Sequence, residues 1–247
     1  MVHEPGGHES RLLNLLRRPR PAATEQPDTA ERAIVVTDLV KDVRTEHGPR
    51  RILDGISFRV GPGERLAVLG RNGAGKSTLI QVLAGLQRPT GGHIHRGLSL
   101  SWPLGLSGGF AGEMTGYDNV RFIAAIYNAP WREVLDFVAD FTELGDSLHE
   151  PVRIYSNGMH ARLALALSLA INFECLLIDE VIVVGDQRFQ RKCYREIFEN
   201  RRHHSMILAV HAPDVVEAYC TRALVLKDGH GRIFADTRTA TRIYATL

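Results

Sequence analysis

The sequence lacks the features that would place it in a membrane or an oxidising compartment. No apolar run approaches the ~18–20 residues that a membrane helix needs, so the chain is not expected to span a bilayer by itself. Its three cysteines, Cys175, Cys193 and Cys220, lie far apart without metal-ligand spacing. An odd number leaves no complete disulfide set, which points to a reduced, cytosolic protein. Charge of one sign is also missing: 30 basic against 28 acidic side chains leave a formal +2, without the basic footprint of a nucleic-acid binder. Aromatics make up 7% of the 247 residues, with 44% hydrophobic and 23% charged. That is an ordinary globular composition, which excludes disorder throughout and fibrous repeats. The chain shows no internal repeat.

What is present begins after an irregular start. Pro5, Pro19, Pro21 and Pro27 interrupt residues 1–32, and no periodicity survives between them. Leu12, Leu13, Leu15 and Leu16, followed by Arg17 and Arg18, could form a short amphipathic turn, but the segment reads as a solvated, disordered extension. It is not a secretory signal, because its apolar stretch is short and carries Asn14. From residue 33 the pattern becomes regular. Ala33–Val40, Arg51–Val60 and Arg65–Leu69 read as strands, with a Gly61-Pro62-Gly63 turn before the last. A helix is expected over Lys76–Leu86, then two short strands around the Gly91-Gly92 and Gly97 breaks. A helical block occupies about 108–172: Val120, Ile123, Ala124 and Tyr127 share one face, and Trp131–Leu144 and Gly158–Asn172 continue it. The last of these is apolar nearly all round and should be buried. Cys175–Ile178, Ser205–Val210 and Ala223–Leu226 are continuous apolar runs, the mark of parallel strands covered on both faces. The expected fold is α/β, a parallel core with a helical insertion.

Chemistry enters at Gly70-Arg71-Asn72-Gly73-Ala74-Gly75-Lys76-Ser77, a G-x-x-x-x-G-K-[ST] run that follows a strand and opens a helix. Glycines let successive backbone N–H groups approach phosphate oxygens. The new helix adds partial positive charge at its N-terminus. Lys76 would contact the β- and γ-phosphates, the Ser77 hydroxyl would ligate Mg²⁺, and Thr78 completes the binding run. A chain-reversing glycine turn would require neither the Lys-Ser pair nor the flanking strand and helix. A second apolar strand ends in Asp179 and Glu180, at the sheet edge where ligands bind in such folds. Asp179 would hold Mg²⁺ directly or through water, and Glu180 would orient the attacking water. His211 follows a third strand, within reach of the γ-phosphate. By itself a strand-end histidine is more often structural than catalytic, so the assignment needs support from elsewhere in the sequence.

Tyr155-Ser156-Asn157-Gly158-Met159 resembles the signature motif, usually L-S-G-G-Q, of ABC-type ATPases. With the P-loop, the Asp-Glu strand, Asp186 and His211 in the right order, the resemblance covers about 33–237. It implies a P-loop NTPase core with an N-terminal antiparallel β part and a helical signature subdomain, about 108–172 within a nucleotide-binding domain of 33–247. It also implies a head-to-tail dimer with two ATPs at the interface, each between one copy's P-loop and the other's signature, at Ser156, Asn157 and Gly158. In that scheme Asp186 lies in the loop joining the two sites, His211 is the γ-phosphate switch, and Lys76, Glu180 and His211 form the catalytic set. A narrower resemblance rests on Ser101–Phe110, Thr115-Gly116-Tyr117-Asp118-Asn119 and Val184-Gly185-Asp186-Gln187-x-Phe189. These look like the ATPase subunits that export capsular polysaccharide. Related O-antigen and teichoic-acid exporters share part of the pattern, and some carry a C-terminal glycan-binding domain for which no chain remains after Leu247. The capsule type is therefore expected, as the ATP-driven motor at the cytoplasmic face of a bacterial inner membrane, bound to an integral membrane subunit.

Three positions depart from the family. The usual Gln that links the nucleotide site to the transport subunit falls near Leu106 or Ser107, the adenine-stacking aromatic is replaced by Val43, and Asn157 replaces the first signature glycine. Soluble ABC ATPases acting on DNA or ribosomes are the competing class. They insert long coiled coils or join two cores, whereas here 79 positions separate Ser77 from Ser156 and there is one core. A P-loop kinase or GTPase would need no signature at all.

Overall fold

The computed structural model describes residues 31–46, 48–104, 109–180 and 185–247. The 1–32 extension lies outside them but for its last two residues, as do Leu106, Ser107 and Val184. Two sheets follow from two kinds of strand. β1 (Ile34–Thr45) and β2 (Gly48–Val60) alternate buried and exposed residues and pair antiparallel, with β4 (Gly91–Arg96) on the other side of β1. β3 (Arg65–Leu69), β6 (Cys175–Asp179) and β7 (Ser205–Ala209) are buried almost throughout. They form the middle of a six-stranded sheet of order β5-β6-β7-β3-β8-β9, with β5 (Leu100–Pro103), β8 (Arg222–Lys227) and β9 (His230–Phe234). All of its pairs are parallel except the β8–β9 hairpin at one edge.

Strand alternation sorts side chains into two cores, one on each face of this sheet. Leu66, Val68, Leu177, Ile207 and Leu224 pack with β1, β2 and helix α1 (Lys76–Leu83). Ala67, Leu69, Leu176, Ile178 and Leu208 pack with the helical layer. That layer comprises α2 (Gly116–Ile126), α3 (Trp131–Thr142) and α4 (Asn157–Ala170), the last buried at every position from Leu163 to Leu169. Beyond β6 come α5 (Gln187–Tyr194), a π-helical turn at Arg195–Glu199, α6 (Pro213–Tyr219) and α7 (Thr237–Ala245). Residues 32–247 cluster as one unit, helical layer included.

Apart from β9, a short, mostly polar edge strand that the sequence reading did not contain, its differences from the structure lie chiefly at element ends. β1 runs on to Thr45 and β2 starts at Gly48, because Arg51 bridges Asp42 and Asp54, at 3.0 Å each, and holds the polar ends of the hairpin together. α1 stops at Leu83 rather than Leu86, since Gly85 takes φ +78°, a left-handed turn that ends the helix.

The sheet order positions the site. β7 is hydrogen-bonded to β3 on one side and β6 on the other, and Ala209 stands opposite both Val68 and Asp179. The C-terminal ends of the three strands are thus level. The loop from Gly70, the Asp179-Glu180 pair and His211 all leave the sheet from the same edge.

Candidate nucleotide site

Local packing makes the loop a cradle. A Cβ on Gly70 would lie 2.7 Å from the Leu226 carbonyl oxygen, so only glycine lets the loop leave β3 against β8. Gly75, with φ +102°, caps α1 without a side chain, and a Cβ there would meet Leu53 at 2.9 Å. The hollow that results measures ≈ 450 Å³ and is lined by Asn72, Gly73, Gly75, Lys76, Ser77, Thr78 and Glu180, with Arg50 and Ile52 of β2 as a further wall. Ala74 holds the turn by donating its N–H to the Arg71 carbonyl at 3.1 Å.

Lys76 is 4% exposed; its Nζ donates to the carbonyls of Gly70 (2.8 Å) and Arg71 (3.3 Å) and lies 3.6 Å from Glu180 Oε1. Ser77 Oγ donates to Asp179 Oδ1 at 3.0 Å. Burial pushes the Asp179 carboxyl above its ordinary range, opposed by the Ser77 hydrogen bond and the Lys76 charge while neighbouring Glu180 pushes it further up. A hydroxyl and a carboxylate side by side at a phosphate cradle are hard oxygen donors. Their chemistry fits a Mg²⁺ ion that takes its remaining ligands from phosphate and water. Among the described residues no cluster of three His, Cys, Asp or Glu side chains could hold a metal without such help.

Among the described residues, Glu180 is one of five non-glycine residues with positive φ (+55°). Its N–H donates to the Ala209 carbonyl at 2.9 Å, which fixes this uncommon backbone and turns the side chain into the hollow. Its Oε1 is 2.8 Å from His211 Nε2, while His211 Nδ1 is 2.6 Å from the Tyr244 hydroxyl on α7. Contacts of 2.8–3.6 Å therefore pair Ser77 with Asp179, and Glu180 with both Lys76 and His211, although their sequence positions follow three different strands.

The signature residues stand apart. Ser156 caps α4, its Oγ accepting from the Met159 N–H at 3.2 Å, and Ser156, Asn157 and Gly158 are all exposed. None of them lines the phosphate hollow. Asp186 caps α5 by accepting from the Phe189 N–H at 2.8 Å, and that bond, ahead of the nearby arginines, holds its carboxyl below the usual range. Arg162 of the signature helix lies over the Phe189 ring at 4.3 Å and 3.9 Å from Asp186, which ties α4 to the loop after β6.

The Thr115–Asn119 motif is a folding device. Thr115 caps α2 through the Asp118 N–H (3.0 Å), and fully buried Asn119 bonds Ala111 through both its N–H and its carbonyl, and Thr115 through its carbonyl. Together they pin the loop that enters the helical layer. Beside it, Trp102 at the end of β5 packs edge-on against Phe173 (5.3 Å) and against Tyr127 (5.4 Å). On the outer side an open groove of ≈ 380 Å³ runs along Met114, Asp118, Arg121, Phe122, Ala125, Ala129 and Trp131. Phe122 and Ile126 are about half exposed.

Arg50, Ile52, Arg162 and Tyr244 were not legible as site residues. Arg50 stands opposite Val43 in the β1–β2 hairpin, so the residue facing Val43, rather than Val43, lines the hollow. Only the hairpin register could have revealed this.

A parallel sheet with a lysine-bearing glycine loop, an acidic strand end and a histidine on one edge defines a P-loop NTPase. The chain belongs to the ABC transporter family, whose model matches residues 53–183. It is 50% identical over 214 residues to the capsule polysaccharide export ATP-binding protein CtrD of Neisseria meningitidis serogroup B, covering 87% of this chain and 99% of that one. It is 48% identical to the ATP-binding protein BexA of Haemophilus influenzae, covering 85% and 97%. Its fold matches the dimeric post-hydrolysis structure of the ATP-binding cassette MJ0796 bound to ADP and Pi, with TM-score 0.67 at 19% identity over 82% of this chain and 98% of that one.

Proposed function

We propose that this protein is the ATP-hydrolysing motor subunit of an ABC exporter that moves capsular polysaccharide across the bacterial inner membrane. The observation that carries the reading is the meeting of Lys76, Ser77, Asp179, Glu180 and His211 at one sheet edge. It does so in a chain half identical to a capsule-export ATP-binding protein. The backbone N–H groups from Gly70 to Thr78 bind the phosphates, and Lys76 exchanges its loop carbonyls for β- and γ-phosphate oxygens. Ser77 and Asp179 would hold Mg²⁺, which when bound neutralises charge on the phosphates. Glu180 orients the attacking water and accepts its proton, and His211 turns its Nε2–H towards the γ-phosphate. Arg50 and Ile52 offer the nucleoside a wall, the guanidinium supplying a planar face in place of the missing aromatic.

A second copy completes the site. Ser156, the open N-terminus of α4 and the exposed Asn157 and Gly158 suit the γ-phosphate held by a head-to-tail partner, with Asp186 beside the junction. ATP binding closes the dimer and hydrolysis reopens it. The helical layer, taken as a subdomain of about 108–172 within a nucleotide-binding domain of 33–247, carries that movement outward. Its groove beside Phe122 and the Trp102–Thr115 connection suit an integral membrane subunit. Among the described residues no helix is long and apolar enough to cross a membrane, so the reading is of a peripheral protein held at the cytoplasmic face by that subunit.

The test is recovery of the tagged full-length protein from membranes. A polytopic membrane subunit at one-to-one ratio is the expected companion. Ribosomes or DNA in its place would end the motor reading and leave only the nucleotide chemistry.

A further inference from the structure

The roles assigned so far use one side of the His211 ring and leave the other unexplained. Nε2 faces Glu180 at 2.8 Å, and Nδ1 faces the Tyr244 hydroxyl at 2.6 Å, with the two rings tilted 33°. A carboxylate offers only acceptors, so the ring must carry its proton on Nε2. In the neutral imidazole Nδ1 is then a lone pair, and it requires a donor. The Tyr244 O–H is that donor.

We propose that Tyr244 is a positioning residue that fixes His211 in the Nε2–H tautomer, so that the side of the ring turned to the reacting phosphate is always a donor. This rests on the role given to His211 above. Glu180 holds Nε2–H only while the ring faces it. Once Nε2 turns to the γ-phosphate, the Tyr244 hydroxyl on Nδ1 is the contact left to hold the ring. Without it the ring can flip or move its proton to Nδ1, which presents a lone pair where phosphate needs a hydrogen.

The hydroxyl is delivered by a well-anchored element. Asp236 caps α7 by accepting from the N–H groups of Arg238 and Thr239 (3.2 and 3.0 Å). Thr241, 5% exposed, donates to Glu217 of α6 at 2.9 Å. Past Tyr244, the Leu247 carbonyl accepts from Arg71 of the phosphate loop at 3.1 Å. The helix and the residues just after it thus reach the site twice, once at the histidine and once at the loop.

Steady-state ATP hydrolysis by the full-length protein in its membrane complex decides the matter, with Tyr244→Phe, Tyr244→Leu and His211→Ala compared. Loss of one hydrogen bond should lower kcat about three- to tenfold in Tyr244→Phe, with KM for ATP unchanged within about twofold. Tyr244→Leu should be no worse, because the hydroxyl and not the ring carries the effect. Imidazole ¹⁵N NMR should report a single Nε2–H tautomer in the wild type and a mixture in Tyr244→Phe. Wild-type kcat in Tyr244→Phe, or a loss seen only in Tyr244→Leu, overturns the proposal, as does an Nδ1–H tautomer in the wild type. Full turnover in His211→Ala instead overturns the role of His211 itself, and so separates the two failures.

Discussion

Glu180 is held by a left-handed backbone turn, a hydrogen bond to Ala209 and contacts to Lys76 and His211. A residue other than glycine adopts φ +55° only where its surroundings impose it, and the cost is of order 1 kcal/mol or more. The strain is local to the one carboxylate that reaches both the phosphate lysine and the histidine. Glu180→Gln keeps the shape of the side chain and its bonding to His211 through the amide oxygen, but it cannot accept a proton. Nucleotide binding should survive while turnover falls about 10²–10⁴-fold, the usual range for removing a general base. Dimers trapped with ATP should accumulate on gel filtration. An unaffected hydrolysis rate in the membrane complex would remove Glu180 as the base.

At the scale of elements, the phosphate loop and the signature helix lie in separate contact sets within one chain. The hollow contains no signature residue, and α4 presents its capped N-terminus outward. Ser156→Arg places a long cation at that exposed cap, where a head-to-tail partner would have to seat its nucleotide. Hydrolysis should fall to background while nucleotide binding to monomers, followed by fluorescence titration, stays within about twofold of wild type, since the substitution is remote from the hollow. Retained turnover would rule out the head-to-tail arrangement. The parallel strands were legible because Cys175–Ile178 and Ser205–Val210 are nearly continuous apolar runs, a pattern that few other environments select. The glycine loop, Asp179 and Glu180 were legible because their chemistry is written in adjacent residues. Tyr244 and Arg50 were not. Each reaches the site through strand order and hairpin register, which bring together positions 33 residues apart in the first case and leave no local trace.

Over the molecule as a whole, the sheet has a basic end opposite the site. Arg65 opens β3, and its guanidinium donates to the Arg201 carbonyl at 2.7 Å; Arg201 in turn donates to the Leu169 carbonyl at 2.8 Å and pairs with Glu196. His204 lies among them. Burial first, then the charges of Arg201 and Arg65, push its imidazole down to about 4. A histidine lowered on folding gives stability that is complete above its unfolded value near 6.5 and is lost as pH falls towards 4, because the unfolded chain takes up the proton first. Thermal unfolding at fixed ionic strength should show that decline, worth about 1–2 kcal/mol once solvent screening is allowed for. His204→Gln should flatten the curve over the same window without altering nucleotide affinity at neutral pH. An unchanged slope would assign the acid sensitivity elsewhere.

The three thiols have a consequence for control. Cys175 and Cys193 are buried and Cys220 is half-buried, all three free, and burial pushes Cys193 and Cys220 up to about 12 and Cys175 higher still. Thiolates are the reactive species, so none of the three offers oxidants or disulfide partners an effective foothold. Mild oxidants and thiol reagents should therefore leave ATP turnover unchanged, so whatever controls the rate acts through something other than these cysteines.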